Sequence, residues 1–173
     1  MKRILLLFAF IGITTLTSCD GDTGPQGPQG PPGIESEVFE LQNVNFQMNQ
    51  NNEYTIFQTL DPVIYDSDNI LIYRMSGTIN AQTPIWQLIP RTLFLNEGEL
   101  DYDFDFSRVD FTIYAGGTYN LALTPQFINN QTFRIVIIPG YFSKDSSLDL
   151  NDYDAVIDYF KIDDTNIKVL NKK

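Results

Sequence analysis

The chain has 173 residues, a length typical of a single domain with or without a tail. Hydrophobic residues make up 43% of it and aromatic residues 13%, which predicts a packed core and argues against wholesale disorder. Acidic residues outnumber basic ones by 22 to 11, which argues against nucleic acid or an anionic membrane surface as a partner. The chain contains no histidine and one cysteine, Cys19, which excludes His-based triads, His or Cys zinc sites, internal disulfides and CxxC redox chemistry.

Residues 1–18 are predicted to be a signal peptide of the lipoprotein type. Lys2 and Arg3 give a basic start, and the apolar run that follows is too short to span a bilayer, which takes about 20 residues. Leu16-Thr17-Ser18-Cys19 then resembles the bacterial lipobox, whose cysteine thiol receives a diacylglyceryl group. The resemblance implies lipidation of Cys19 and a stable membrane anchor. The alternative is an ordinary signal peptide beside a chance cysteine.

Acidic residues directly after Cys19 bear on the location of the protein. Asp20 resembles an inner-membrane retention signal of enterobacterial lipoproteins, whereas Asp20 and Asp22 together resemble a surface-export signal of Bacteroidota-type lipoproteins. We favour a cell-envelope location at the outer membrane or the cell surface.

Residues 19–36 are predicted to be the lipidated cysteine followed by a collagen-like tether. Five Gly-X-Y triplets run in strict register from Gly21 to Glu35, and four of the nine prolines lie among them. Glycine at every third position is what a triple helix requires, while proline favours the extended polyproline II conformation. The run is therefore either a semi-rigid monomeric spacer or a short trimerisation element. We favour the monomeric spacer, because five triplets offer few interchain hydrogen bonds to offset chain ordering.

The signal, the lipobox and the short Gly-X-Y run, followed by an acidic and aromatic-rich domain, resemble the collagen-like lipoproteins of Bacteroidota. The resemblance covers residues 1–35. It implies an envelope protein that displays a domain on a short stalk.

Residues 37–173 are predicted to form a mainly β domain, an antiparallel β-sandwich with one C-terminal helix. Pro84 and Pro90 confine the strand between them to an edge or a bend. Asn96-Glu97-Gly98 and Ala115-Gly116-Gly117-Thr118 predict two hairpin turns. The predicted strands are Val38–Met48, Glu53–Leu60, Asn69–Ile79, Ile85–Ile89, Thr92–Leu95, Glu99–Phe106, Val109–Tyr114, Tyr119–Leu123, Thr132–Ile138 and Ile167–Leu170.

The segment from Leu150 to Lys161 is predicted to be the helix, because its apolar residues recur at helical spacing. Asp149 is the expected N-cap and Asp152 the expected acidic residue of the first turn. We expect this helix to close an open end of the sandwich.

The run Asp101-Tyr102-Asp103-Phe104-Asp105-Phe106 places three aspartates on one face of a strand and three aromatic rings on the other. Asp101, Asp103 and Asp105 could bind calcium, or supply a carboxylate pair for glycoside hydrolysis. Same-face neighbours lie about 7 Å apart, which is too far for a tight shared cation without loop ligands. We favour a solvated face and predict no metal site.

Trp86, the only tryptophan, lies between two prolines and is the first candidate for ligand binding. The chain has no GxGxxG, P-loop, GxSxG or SxxK motif, so no cofactor and no catalytic residue are predicted. The sequence predicts a lipid-anchored envelope lipoprotein whose sandwich is a binding or structural module for a glycan or protein ligand. The alternatives are an aspartate-dependent enzyme acting on envelope or extracellular glycans, and an assembly protein that forms homotrimers through its stalk.

Overall fold

The computed structural model describes residues 36–140 and 148–170. The predicted signal peptide, the lipidation site Cys19 and the Gly-X-Y triplets lie outside the described residues. Within the two described ranges, no helix is long and apolar enough to cross a membrane.

The described part consists of ten strands, one α-helix and two short 3-10 helices. The strands are β1 (Glu37–Val44), β2 (Gln47–Met48), β3 (Tyr54–Thr59), β4 (Asn69–Asn80), β5 (Thr83–Ile89), β6 (Arg91–Leu95), β7 (Gly98–Phe106), β8 (Asp110–Gly117), β9 (Gln131–Ile138) and β10 (Lys168–Val169). The helix α1 spans Tyr153–Phe160, and the 3-10 helices span Leu121–Leu123 and Pro125–Phe127.

The strands form two five-stranded sheets. Sheet 1 has the order β10-β1-β9-β4-β5, and sheet 2 has the order β2-β3-β8-β7-β6. Side chains from both sheets meet in one apolar core, which includes Leu41 and Ile135 from sheet 1 and Leu100 and Ile113 from sheet 2. The domain is therefore mainly β and has the two packed layers of a β-sandwich.

Several predicted strands are confirmed. β3, β4 and β9 lie where the apolar patterns place them, and β4 is an interior strand between β9 and β5. The β6–β7 hairpin turns at Asn96-Glu97-Gly98, where Gly98 has a φ of 140°. β5 is an edge strand, as its flanking prolines predict, and the chain passes at Pro90 directly into β6, the edge of the other sheet.

The predicted single strand Val38–Met48 is wrong, because the chain changes sheets within it. β1 belongs to sheet 1 and β2 to sheet 2. Asn43 adopts a left-handed φ of 53° at an irregularity in the β1–β9 register, and Phe46 between the strands is buried in the core. Apolar alternation continues into the crossover as far as Phe46, because Val44 and Phe46 are both buried in the core between the sheets.

The prediction of an antiparallel β-sandwich is wrong at one pair of strands. The final strand β10 lies parallel to β1, with Phe39 opposite Lys168 and Glu40 opposite Val169.

The predicted hairpin at Ala115-Gly116-Gly117-Thr118 is wrong. β8 continues through Gly117, which pairs with Leu100 of β7. A Cβ atom on Gly117 would lie 2.5 Å from the carbonyl oxygen of Glu99, so this glycine allows close approach of two strands instead of a turn. The predicted strand Tyr119–Leu123 is instead a 3-10 helix that begins after Asn120, whose side chain accepts from the Ala122 N–H at 3.0 Å.

The helix is confirmed, but its start and its position differ from the prediction. Asp152 is the N-cap, with its side chain accepting from the Ala155 N–H at 3.1 Å, whereas Asp149 forms a turn with Asn151 just before the helix. α1 does not close an end of the sandwich. It covers the outer face of sheet 1 in a second apolar cluster: Val38, Tyr73, Val136, Ile138, Tyr153, Val156 and Ile162.

This second cluster explains the unbroken apolar character of β4 and β9. In β9, Phe133 and Ile135 face the core between the sheets, whereas Val136 faces α1. The sequence of a strand that is buried on both faces is a continuous run of apolar residues. The helix layer thus makes sheet 1 the middle of three layers.

Candidate functional site

A cavity of about 480 Å³ opens where the outer face of sheet 1 meets the start of α1. We call it the Trp86 cavity. The residues that line it are Gln82, Thr83, Pro84, Trp86, Arg134, Asn151, Asp152, Tyr153, Asp154 and Asp164. They come from the β4–β5 hairpin, from β9, from the first turn of α1 and from the segments on both sides of α1, so the fold itself brings them together.

Arg134 forms the inner wall of the Trp86 cavity. It lies on β9 directly opposite Glu40 of β1, and its Nε donates to Glu40 Oε2 at 2.9 Å. Its Nη1 also donates to Asp164 Oδ2 at 3.2 Å. The side chains of Arg134 and Glu40 are only 15% and 11% exposed, so this ion pair is shielded from solvent on the outer face of the sheet.

Two aromatic rings hold the guanidinium in place. The Arg134 Cζ lies 4.4 Å from the ring centroid of Trp86 and 4.9 Å from that of Tyr153, distances at which cation–π attraction is significant. The Tyr153 hydroxyl accepts from Arg134 Nη1 at 2.7 Å and donates to Asp164 Oδ2 at 3.0 Å. Burial raises the pKa of this hydroxyl, so it remains a neutral donor at physiological pH. The side chains of Arg134, Trp86 and Tyr153 are therefore held in place before any ligand binds.

The mouth of the cavity is acidic and polar. Asp152 uses one carboxylate oxygen to cap the helix. Asp154, in the first turn, makes no hydrogen bond or ion pair with another residue of the described ranges. The carboxylate of Asp154 and the side chains of Gln82 and Thr83 are exposed, so they are accessible to a ligand.

Charge and hydrogen-bonding capacity limit what the cavity can bind. The single positive charge of Arg134 is already paired with the carboxylates of Glu40 and Asp164. The remaining carboxylates at the mouth make the cavity net negative, which disfavours an anionic ligand. Carboxylate and amide oxygens accept hydrogen bonds from hydroxyl groups, and an aromatic ring supplies a surface for an apolar ring face.

Trp86, the ligand-binding candidate from the sequence, lies on β5 and lines this cavity, where its ring is partly buried. The sequence patterns did not predict that Arg134, Tyr153 and Asp164 contribute to this site. One feature of the sequence could have indicated the site, because Arg134 is the one charged residue within the apolar run of β9. A charge retained in a strand that is buried on both faces needs a partner or a function.

Asp101, Asp103 and Asp105 lie far from this arrangement in the fold, on the outer face of sheet 2. Each carboxylate has its own neighbour. Asp101 accepts from Thr92 Oγ1 at 2.6 Å, Asp103 from the Phe104 N–H at 2.8 Å, and Asp105 from the Tyr114 hydroxyl at 2.9 Å. Among the described residues, no group of three or more acidic side chains is placed to hold a metal ion. The separate hydrogen bonds of these three carboxylates are compatible with a solvated face, which stays a prediction.

Comparisons of the chain with protein-family models, with curated proteins and with solved structures returned no match. The arrangement of residues around Trp86 is therefore the basis for inferring a function.

Proposed function

We propose that the protein is a lipid-anchored lipoprotein of the cell envelope whose sandwich binds a neutral glycan. Cys19 in its lipobox and the Gly-X-Y triplets support the anchor and the stalk. The single observation that supports glycan binding is the Trp86 cavity, in which a fixed aromatic wall faces uncommitted carboxylate and amide groups.

The dimensions and lining of the cavity fit a saccharide. Its volume of about 480 Å³ lies within the usual range for small-ligand sites. A sugar ring presents an apolar face, which can contact the accessible part of Trp86. It also presents hydroxyl donors, which Asp154 and the side-chain oxygen of Gln82 can accept. A neutral sugar is favoured over a uronic acid or a phosphorylated sugar, because the mouth of the cavity is net negative.

The position of the cavity suits a displayed domain. The first strand begins at Glu37, which lies opposite Ile137 at one end of sheet 1. β4 runs antiparallel to β9 as far as Arg74 and continues to Asn80, so the hairpin that supplies Gln82 and Thr83 lies toward the opposite end. The side of the cavity formed by Gln82 and Thr83 therefore lies toward the end of sheet 1 that is opposite Glu37.

The fluorescence of Trp86 tests the proposal directly, because it is the only tryptophan in the chain. Titration of the purified full-length protein with neutral and uronic oligosaccharides should give a saturable change for a neutral one only. By calorimetry, Trp86→Ala and Asp154→Asn should weaken that binding by about tenfold or more. Phe94→Ala, which removes a 79% exposed ring elsewhere, is the matched control and should bind normally. Binding that survives Trp86→Ala would disprove the assignment of this cavity.

A further inference from the structure

One arginine, Arg74, lies between the two sheets. Its residue surface is only 6% exposed. Its side chain extends from β4 toward sheet 2, where the Cζ atom lies 4.7 Å from the ring centroid of Tyr102 on β7 and 5.8 Å from that of Phe127. Its Nε donates to Gln131 Oε1 at 2.8 Å. A positively charged group therefore lies among aromatic rings and an amide at the edge of the core.

Within the described residues, no carboxylate compensates the charge of Arg74. The ion pairs there involve Arg108, Arg134 and Lys161, each with a carboxylate oxygen within 3.2 Å. Acidic residues outnumber basic ones by 22 to 11, so carboxylates are not scarce in the chain. Burial lowers the pKa of the Arg74 guanidinium, and Tyr102 is the group that opposes this effect. A buried charge without an opposite charge is costly, and an anion that can approach it reduces that cost.

The guanidinium of Arg74 has donors left for such an anion. Its Nε–H is used by Gln131, and the Tyr102 hydroxyl lies beside the remaining N–H bonds. That hydroxyl donates its own proton to the Phe127 carbonyl at 2.7 Å, and its lone pairs can accept only part of the Nη donors. In the described part of the chain, no side-chain nitrogen that is sealed from solvent lacks a hydrogen bond. The unpaired Nη donors of Arg74 are therefore on the side of the group that reaches solvent.

A second arginine, Arg91, projects from sheet 2 at the same place. It lies on β6 directly opposite Tyr102, so the two side chains leave the same face of sheet 2, the one toward sheet 1. Arg91 is exposed and forms no ion pair with a described residue. Its long side chain can reach an anion bound at Arg74. Two arginines without a carboxylate partner beside one tyrosine make this spot positive in a chain of net charge −11.

We propose that Arg74 and Arg91 form a binding site for a carboxylate group. A carboxylate is planar and accepts two parallel N–H bonds from a guanidinium, which is the pairing that the Nη atoms of Arg74 offer. Its single negative charge matches the one buried positive charge, whereas the second charge of a phosphate is disfavoured by the acidic surface of the chain. The site is separate from the Trp86 cavity, because Arg74 faces sheet 2 and Trp86 packs on the outer face of sheet 1.

Titration of the purified full-length protein in detergent with sodium acetate tests the proposal. The NMR resonance of the Arg74 Nε–H, assigned from its loss in Arg74→Lys, should shift saturably with acetate and not with chloride at equal ionic strength. Sodium phosphate should bind more weakly than acetate. Triglycine and triglycine amide distinguish two sources of the carboxylate: binding of triglycine but not of its amide indicates a chain terminus, and binding of acetate alone indicates a small free acid. A shift that does not saturate, or that chloride or phosphate reproduces at equal concentration, would overturn the proposal.

Two arginine variants locate the site. Arg74→Lys keeps the charge but removes the planar pair of donors, so acetate binding measured by calorimetry should weaken by about tenfold or more. Arg91→Met should weaken it severalfold without lowering the thermal midpoint, because Arg91 is exposed and unpaired among the described residues. Lys161→Met removes the same charge at an exposed pair elsewhere and should bind acetate normally, as should Trp86→Ala, so this proposal and the glycan proposal can fail separately. Undiminished binding by Arg74→Lys or by Arg91→Met would overturn the proposal, and Arg91→Met keeps the test decisive if Arg74→Lys does not fold.

Discussion

Glu40 and Arg134 lie directly opposite each other in the β1–β9 ladder, and a 2.9 Å ion pair joins their side chains on the outer face of sheet 1. The pair connects the first strand of the domain to the Trp86 cavity, because the same guanidinium contacts Trp86, Tyr153 and Asp164. The shape of the proposed binding site therefore depends on a salt bridge that is itself shielded from solvent.

Removal of one partner of this salt bridge should be strongly destabilising. Arg134→Met leaves Glu40 shielded and unpaired, which should lower the free energy of unfolding by about 3–5 kcal/mol in urea denaturation. The double variant with Glu40→Gln should recover much of that loss. Lys161→Met is the control, because Lys161 and Asp158 are 77% and 85% exposed and such pairs contribute at most about 1 kcal/mol. An equal effect of Arg134→Met and Lys161→Met would show that the buried pair has no structural role.

The domain should lose stability in alkali. Burial raises the pKa of Tyr102 from 10.0 to about 12. The folded state keeps this proton while the unfolded state releases it, so stability is fully present below pH 10 and falls as the pH rises toward 12. The loss from Tyr102 alone should be on the order of 2 kcal/mol. The free energy of unfolding measured as a function of pH checks this expectation, because Tyr102→Phe should reduce the loss of stability between pH 10 and 12.

Membrane attachment should depend on Cys19. Cys19→Ala removes the only thiol that could receive lipid, so the variant should leave the membrane fraction while its circular dichroism stays that of the folded domain. Equal partitioning of variant and wild type into the membrane fraction would contradict lipidation at this residue.

Calcium should have little effect on stability if the face of Asp101, Asp103 and Asp105 is merely solvated. A tight site at 100 times its dissociation constant would contribute about 2.7 kcal/mol and raise the thermal midpoint by several degrees. We expect millimolar calcium to give a much smaller shift. A large shift that disappears in Asp103→Asn would establish a calcium site on this face.

The Gly-X-Y run should be dispensable for folding. Residues 37–173 include every strand of both sheets and the core between them, whereas residues 20–33 have no large apolar side chain to add. Sedimentation of soluble forms with and without the run, over about a hundredfold range of concentration, should show monomers of both. A trimer that forms only with the run would make it an assembly element, and a trimer without it would show that the domain surface associates.

Local chemistry in the sequence predicted most strands and the helix, but it could not predict what each segment packs against. The pair Gly116-Gly117 is a good turn signal, yet Gly117 is needed for close contact with Glu99 in a continuing strand. Asp149 and Asp152 are both suitable caps, and in the structure the helix starts after Asp152, where Tyr153 packs against Trp86.

The candidate site also combines a residue that the sequence could predict with residues that it could not. Trp86 could be singled out because it is the one tryptophan. Arg134 and Asp164 lie 30 residues apart, and nothing in the local pattern pairs them. Their contact exists because β10 returns the chain to β1 after α1, which places the intervening segment against the outer face of β9.

The pairing of β1 with two strands leads to an expectation for the domain under mechanical load. The strand follows directly on the proposed tether and is held on both sides, by β9 along its length and by β10 at Phe39 and Glu40. A ligand held at the far end would pull along β1, and the hydrogen bonds of both ladders lie across that direction, so they would resist the load together in shear. Leu170→Pro, which removes the bond from the Leu170 N–H to the Glu40 carbonyl, should lower the rupture force in single-molecule pulling through residue 36. Strand β10 would thus serve as a clamp on β1.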